Sequence, residues 1–370
     1  MEQRTNVTIL GGGVIGCFLA YRLAAAGVSV TLLERRQVAA EASGASAGNV
    51  QPGAVEVALG AASLRLHRQF LPAIKEESGI DPMDQAVQYL YPALNAQEVA
   101  EAQQFATVLQ QHGLEVAWID GATARQLEPR LHPDVLGGAL HQDCVQMDPR
   151  LFVQALAKAS ASRGVKIRHE EVVGLQRQGS RVTGVLCKER VVIPCDTLVI
   201  AMGAWSGPAL KQWLGIDLPI GPYSLQKLHL RPADPGLRCA IRWGDVNMVS
   251  RRDGFIHIGS KHDPTGFVAQ PTSAGRRWLL ERVQTILPGL EADVATAAAG
   301  VGSATPESIP VLGPVPGMED TYVVVPSTNG FLLSAVLADI LSTLIASGVH
   351  HPHLSRLSPE RAIERAATAG

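Results

Sequence analysis

The sequence predicts a mixed α/β plus β chain: a Rossmann-like dinucleotide-binding domain with a second domain built on an antiparallel sheet. Three observations predict it. A strand, glycine turn, helix and strand open the chain. Alternating apolar and polar stretches occupy about residues 219–262. The length, 370 residues, exceeds that at which a single core usually stops growing. With 46% apolar residues and 36 glycines the composition is that of a folded protein. A net charge of −2, from 32 basic and 34 acidic residues with no basic run, argues against a nucleic-acid partner.

The elements follow from local pattern. Residues 1–6 are polar, so no export leader is expected. Residues 7–10 form a β-branched apolar run, then Ile15, Leu19 and Leu23 recur at helical spacing, Gly27 ends that helix, and 28–33 read as a second strand closed by Glu34. From about 81 to 138 helical segments (95–112 and 121–128) are punctuated by prolines, so a different unit is expected there. Residues 149–163 predict a helix, and 165–167, 172–175, 182–186 and 191–193 short strands. A buried strand over 196–201 ends at Gly203-Ala204-Trp205. Segments 225–230 and 255–258 predict an antiparallel sheet with one wet face. A Pro/Gly-rich loop, 305–317, leads to a strand at 322–325 and a helix from about Gly330. The apolar stretch 331–345 contains Asp339 and falls short of the ~18 to 20 residues that cross a bilayer. It predicts a buried helix, with peripheral membrane contact as the alternative. The five scattered cysteines form no C-x-x-C pair, which argues for reduced, buried thiols in a cytosol rather than disulfides or zinc.

The chemistry starts at Gly11-x-Gly13-x-x-Gly16, placed between strand and helix and followed by Glu34 at the end of the next strand. That context makes it a dinucleotide fingerprint. Gly11 permits the tight turn, Gly13 a close approach to pyrophosphate, and Gly16 tight helix–strand packing. The free amides at the helix start face phosphate, and Glu34 is placed to accept from an adenosine ribose. The fingerprint alone equally admits a nicotinamide-dependent dehydrogenase. A hydroxyl- and glycine-rich loop follows at 41–49, offering amides and hydroxyls to a phosphate or a flavin edge.

Together with Val145-Gln146-Met147-Asp148-Pro149, Gly203-Ala204-Trp205, Arg251-Arg252-Asp253-Gly254, Thr305-Pro306-Glu307 and Asn329-Gly330, in this order, these segments resemble the D-amino-acid oxidase, glycine oxidase and sarcosine oxidase (DAO) family of flavoproteins over nearly the whole chain. The resemblance implies non-covalent FAD in a glutathione-reductase-type domain (1–80, 141–206 and 300–370) and a substrate domain (81–140 and 207–299). Carried over residue by residue, it implies cofactor contacts from Gly11, Gly13, Val14, Ile15, Gly16, Glu34, Arg35, Ser43, Gly44, Ser46, Ala47, Gly48, Asn49, Val172, Ala201, Gly203, Trp205, Gly300, Asn329, Gly330, Phe331 and Leu332. Substrate contacts are implied for Gln51, Asn247, Arg251 and Gly302. A helix starting at Gly330 would aim free amides at the flavin's pyrimidine edge and favour a reduced, anionic ring. The implied reaction takes hydride from the carbon next to the nitrogen of an amino acid, N-substituted amino acid or opine, giving an imine that water hydrolyses. No dedicated acid–base pair is required.

The chain departs from the family at two positions. Gly302 stands where members acting on amino acids commonly place a carboxylate-binding Arg, and Asn247 where a Tyr often lies. Losing a charge-assisted clamp costs at least about tenfold in affinity. Candidate replacements are Arg251, Lys261, Lys227 and His257. The departures also fit the smaller FAD-binding subunit of a heteromeric amine, proline or opine oxidoreductase with an idle pocket. A larger partner or a homo-oligomer is the matching expectation, with no transmembrane segment and a cytoplasmic location or one at a membrane's inner face. No Cys lies near Gly300, where some relatives attach flavin covalently, and His350, His351 and His353 are expected in solvent rather than on a metal.

Overall fold

The computed structural model describes residues 6–53 and 56–369. Residues 1–5, part of the polar opening read as lacking a leader, lie outside them. In chain order the first elements are β1 (Asn6–Leu10), α1 (Val14–Ala25), β2 (Ser29–Glu34), the short α2 (Ala42–Ala45) and β3 (Asn49–Val50). Next come α3 (Val57–Ser78), β4 (Gln85–Ala93), α4 (Ala96–Gln111), β5 (Val116–Asp120), α5 (Gly121–Leu127) and β6 (Gly137–Gln146). α6 (Pro149–Ser162) leads into β7 (Lys166–His169), β8 (Val172–Gln178), β9 (Arg181–Cys187), β10 (Val192–Pro194) and β11 (Thr197–Ile200). Then follow α7 (Ser206–Leu214), β12 (Gly221–Pro232), β13 (Ala240–Trp243), β14 (Val246–Ser250), β15 (Ile256–Asp263), α8 (Ser273–Ile286) and β16 (Ala292–Ala304). The chain closes with β17 (Val311–Pro314), β18 (Thr321–Val325), α9 (Gly330–Ser347), α10 (Leu354–Leu357) and α11 (Pro359–Ala369).

Six strands form one sheet in the order β17-β18-β11-β1-β2-β7, parallel except at the β17 edge. Its inner strands are buried and mostly apolar or β-branched, including Thr8 and Thr31, because both faces are covered. Val7, Ile9 and Val199 meet α1, α3, α6 and α9, whereas Leu10, Leu198 and Ile200 meet α7 and the small antiparallel sheet β10-β9-β8. A nine-stranded, mainly antiparallel sheet runs β16-β12-β15-β14-β13-β4-β6-β3, with β5 joined to β6. α8 covers one of its faces through Leu279, Val283 and Ile286 packed on Leu228, Leu230 and Ile258. β6 and β16 both belong to this sheet and run across the expected boundaries at 140/141 and 299/300.

Five expectations need correction. The stretch 81–138 is not purely helical but contains β4 and β5. The loop 305–317 contains β17, whose Gly313 and Pro314 an edge strand tolerates. The antiparallel sheet lacks one wet face at β12: Tyr223 through Leu228 are all buried, because Ala42, Ala45 and the following loop dock on the side opposite α8. The apolar stretch is longer than read, since an apolar helical span of 21 residues (327–347) has a mean hydropathy of 1.9, enough by length to cross a membrane. Two-thirds of it is nevertheless buried against the protein, on α1 and α3, and its Asp339 pairs with Arg22 at 2.5 Å. His351 and His353 are half-buried and stacked on each other, with centroids 5.2 Å apart, rather than solvated. The five cysteines are buried free thiols.

Candidate functional site

A cavity of about 660 Å³ lies between the carboxyl ends of β1, β2 and β11 and the face of the nine-stranded sheet turned away from α8. One end is built by the first βαβ unit. The β1–α1 turn is tight because Gly11 adopts φ +109°, and a Cβ there would lie 2.5 Å from the Ala201 carbonyl. Gly16 lets α1 descend onto the turn: a Cβ would lie 2.0 Å from Gly11 O. The Glu34 carboxylate accepts from the amides of Gly12 (2.7 Å) and Arg36 (2.8 Å). α1 starts without a side-chain cap from Gly13 and with no acidic residue in its first turn. The Val14 amide donates to Ser43 Oγ at 2.9 Å, tying the loop after β2 to the helix start. Arg35 stacks over Trp205 at 4.2 Å beside Val172 and the unpartnered, buried Trp213 Nε1.

Further along, Ser46, Ala47 and Asn49 reach the cavity, and the buried Asn49 Oδ1 has no protein partner. Opposite them α9 begins at Gly330 with no side-chain cap from Asn329, so its first amides face the cavity unneutralised. Its first turn is held by α3, since Ser63 Oγ donates to Leu332 O at 2.5 Å and His67 Nε2 lies 3.2 Å from the same oxygen. Burial lowers the His67 pKa to about 4, so the ring is neutral and donates there. α3 went unread in the sequence because Gly60, His67 and Pro72 interrupt its apolar stripe.

The far end belongs to the nine-stranded sheet: Tyr223, Arg242, Asn247, His262 and Gly302 line it together with Gln51, whose amide is bonded to the Tyr91 hydroxyl. Burial raises the Tyr223 phenol to about 12 and lowers His262 below the usual imidazole value, so both are neutral. A Cβ on Gly302 would lie 2.3 Å from Tyr223 Cζ, so the tyrosine ring occupies the space that any side chain at 302 would need.

The structure thus brings most of the expected residues to one cavity. Gly16, Gly44, Gly48 and Gly300 do not line it; they are close-packing positions against Gly11, Ala39, Met147 and Ala45. Arg251 is also not a lining residue. Its side chain, 4% exposed, sits beneath the 46–48 loop, bonded to Ala47 O and paired with Asp148 at 3.5 Å. The other replacement cations are engaged elsewhere: Lys227 donates to Ser46 O (3.1 Å), Lys261 pairs with Asp263, and His257 bonds Asp253 (2.7 Å). Arg242, which sequence reading missed, is the basic side chain that does reach this end.

The residues fit FAD. An extended cavity joins a helix start without an acidic residue and a glycine cradle at one end to a second, uncapped helix start, with orphaned buried polar atoms at Asn49 and Trp213 on its lining. A family model described as FAD dependent oxidoreductase (DAO) matches residues 6–344. A glycine oxidase of Pseudomonas aeruginosa is 32% identical over 362 residues, covering 94% of each chain. A hydrogen cyanide synthase subunit of Pseudomonas protegens is 26% identical, covering 93% of each. The crystal structure of glycine oxidase from Bacillus cereus superposes with a TM-score of 0.87 at 26% identity, covering 94% of this chain and 99% of that one. The chain belongs to the DAO family of FAD-dependent oxidoreductases.

Proposed function

We propose that this chain oxidises the CH–NH bond of an amino acid or N-substituted amino acid, opines included, with non-covalently held FAD. The carrying observation is the single cavity that runs from the Gly11 turn to the sheet face bearing Tyr223, Asn247 and Arg242. Bound FAD supplies the hydride acceptor. In this reading the six-stranded sheet and its helices hold the cofactor and the nine-stranded sheet presents the substrate. The proposed division is 1–80, 141–206 and 300–370 for the cofactor against 81–140 and 207–299 for the substrate, with β3, β6 and β16 carrying parts of the first set into the nine-stranded sheet.

The roles divide by position. Gly11, Gly13, Val14, Ile15 and Ser43 would hold the pyrophosphate of FAD, Glu34 the ribose, and Val172, Arg35 and Trp205 the adenine. Ser46, Ala47 and Asn49 would border the flavin ring, and the α9 start at Asn329 to Leu332 presents partial positive charge that would favour negative charge on it. Gly16, Gly44, Gly48 and Gly300 act one layer back, by letting these segments approach. The substrate loses a hydride from Cα and a proton from nitrogen, and water then cleaves the imine. Tyr223 and His262 are both neutral, so neither places a charge beside the amine. Anaerobic mixing with glycine and N-methylglycine, followed by assay for carbonyl product, tests the reading: one equivalent of product per flavin supports it and none overturns it.

A second reading, the FAD subunit of a heteromeric oxidoreductase with an idle pocket, is favoured by Gly302 and Asn247 and by the likeness to a relative that is itself a subunit. Co-purification from the native host separates the two. The five buried thiols support a reducing, cytoplasmic setting.

A further inference from the structure

Arg242 faces Asn247 across the β13–β14 hairpin, and both reach the substrate end of the cavity. Among the described residues two Lys or Arg side chains line that cavity, Arg35 and Arg242. Arg35 lies at the opposite end, 3.6 Å from the Glu41 carboxylate and stacked on Trp205. Arg242 differs: it is half-buried, has no ion pair among the described residues, and its hydrogen bond is a long one, 3.5 Å from Nε to Gly244 O of its own turn. A guanidinium carries five donors, so most of its bonding capacity is unmatched by protein. Tyr89 and Tyr91 beside it are neutral phenols and His262 is neutral, so none of the three supplies a countercharge; Asp245 is the carboxylate on this part of the lining. Asp245 is exposed and makes no ion pair with Arg242. Beside it the buried Asn247 Oδ1 also lacks a partner. One unpaired cation and one unmet acceptor, side by side in a cavity, match a ligand that brings a carboxylate and an N–H.

Resting on the amino-acid reading above, we propose that Arg242 binds the substrate carboxylate, in place of a cation at position 302. The Tyr223 ring excludes such a cation, since even a Cβ at 302 would lie 2.3 Å from it. Three strands, β14, β15 and β12, separate β13 from β16 in the sheet, so this is a different anchoring point on the same face and not a shifted copy of the absent one. Anchoring there orients an amino acid by its carboxylate and leaves a neutral amine lacking that group without its principal contact.

The test uses glycolate, a non-amine carboxylate of glycine's size, titrated calorimetrically into holoenzyme, with glycolamide, its uncharged amide, as the control. Wild type binds glycolate, and Arg242→Gln weakens it roughly tenfold to a hundredfold, the weight of one charge-assisted hydrogen bond. Arg242→Lys recovers part of the loss, because charge returns without the fork. KM for glycine rises in parallel while kcat moves less. Glycolamide affinity is the same in all three. Absence of glycolate binding to wild type, or equal binding by wild type and Arg242→Gln at equal flavin content, overturns the proposal. Arg242-dependent glycolate binding in a protein whose flavin no amino acid reduces sinks the oxidase reading instead and leaves the anion site standing.

Discussion

Gly16→Ala puts the geometry of the helix start to a quantitative test. The added methyl would lie 2.0 Å from Gly11 O, whereas real Cβ contacts stay beyond 3.0 Å, so about 1 Å of separation must be found. Gly11 cannot supply it: its amide is bonded to Leu33 O at 2.9 Å, and its other side faces the Ala201 carbonyl. The displacement therefore falls on α1, whose Phe18, Leu19 and Leu23 are fully buried. Overpacking of this kind costs about 1–3 kcal/mol, a fall of a few degrees in Tm. A shift of ~1 Å also takes the α1 amides off the phosphates, so FAD affinity falls at least tenfold. The assay is titration of apoprotein with FAD by fluorescence quenching, alongside thermal melts. Gly27→Ala is the control, because it meets nothing within 4 Å but has φ +78°. It costs ~1–2 kcal/mol of backbone strain and leaves the FAD Kd unchanged. Wild-type FAD affinity in Gly16→Ala, or equal weakening in both variants, would refute the reasoning.

Two further outcomes are expected. Gly302→Ala lowers Tm through the clash with Tyr223, and adding Tyr223→Ala relieves it, so a double-mutant cycle shows coupling above ~0.5 kcal/mol; additive effects contradict the proposed competition for space. The Lys227 pKa is lowered to about 7, by burial first and then by Arg251. Between about pH 7 and the ordinary lysine range the unfolded chain binds the extra proton, so stability rises with pH there. Lys227→Met flattens that rise, as urea denaturation at pH 7 and pH 10 would show, and an unchanged slope would contradict it.

The cofactor half was legible because its constraints are local. Gly11, Gly13, Gly16 and Glu34 sit at fixed spacing inside one βαβ unit, and the structure brings the three cavity-lining members of that set together within 24 residues of chain. The substrate end was less so, because it is assembled from distant strands. Arg242 lies in a four-residue strand of no marked pattern, and it reaches the cavity through its pairing with Asn247 and the docking of β13 beside β4. The same holds for the misplaced Arg251: its motif was visible, but whether its side chain faces the cavity or the underside of the 46–48 loop depends on Ala47 and Asp148, over a hundred residues away. α3 was hidden by a helix-interior proline and by a buried histidine, the latter bonded to the start of α9.

The central claim is that this cavity holds FAD and delivers amino-acid hydride to it. The most direct measurement is the visible spectrum of the purified chain before and after anaerobic addition of glycine or N-methylglycine. The account predicts flavin bands that bleach, with FAD released into the supernatant on denaturation at one per chain. A colourless protein, a nicotinamide in the cavity, or flavin that stays oxidised with every amino acid offered would contradict it.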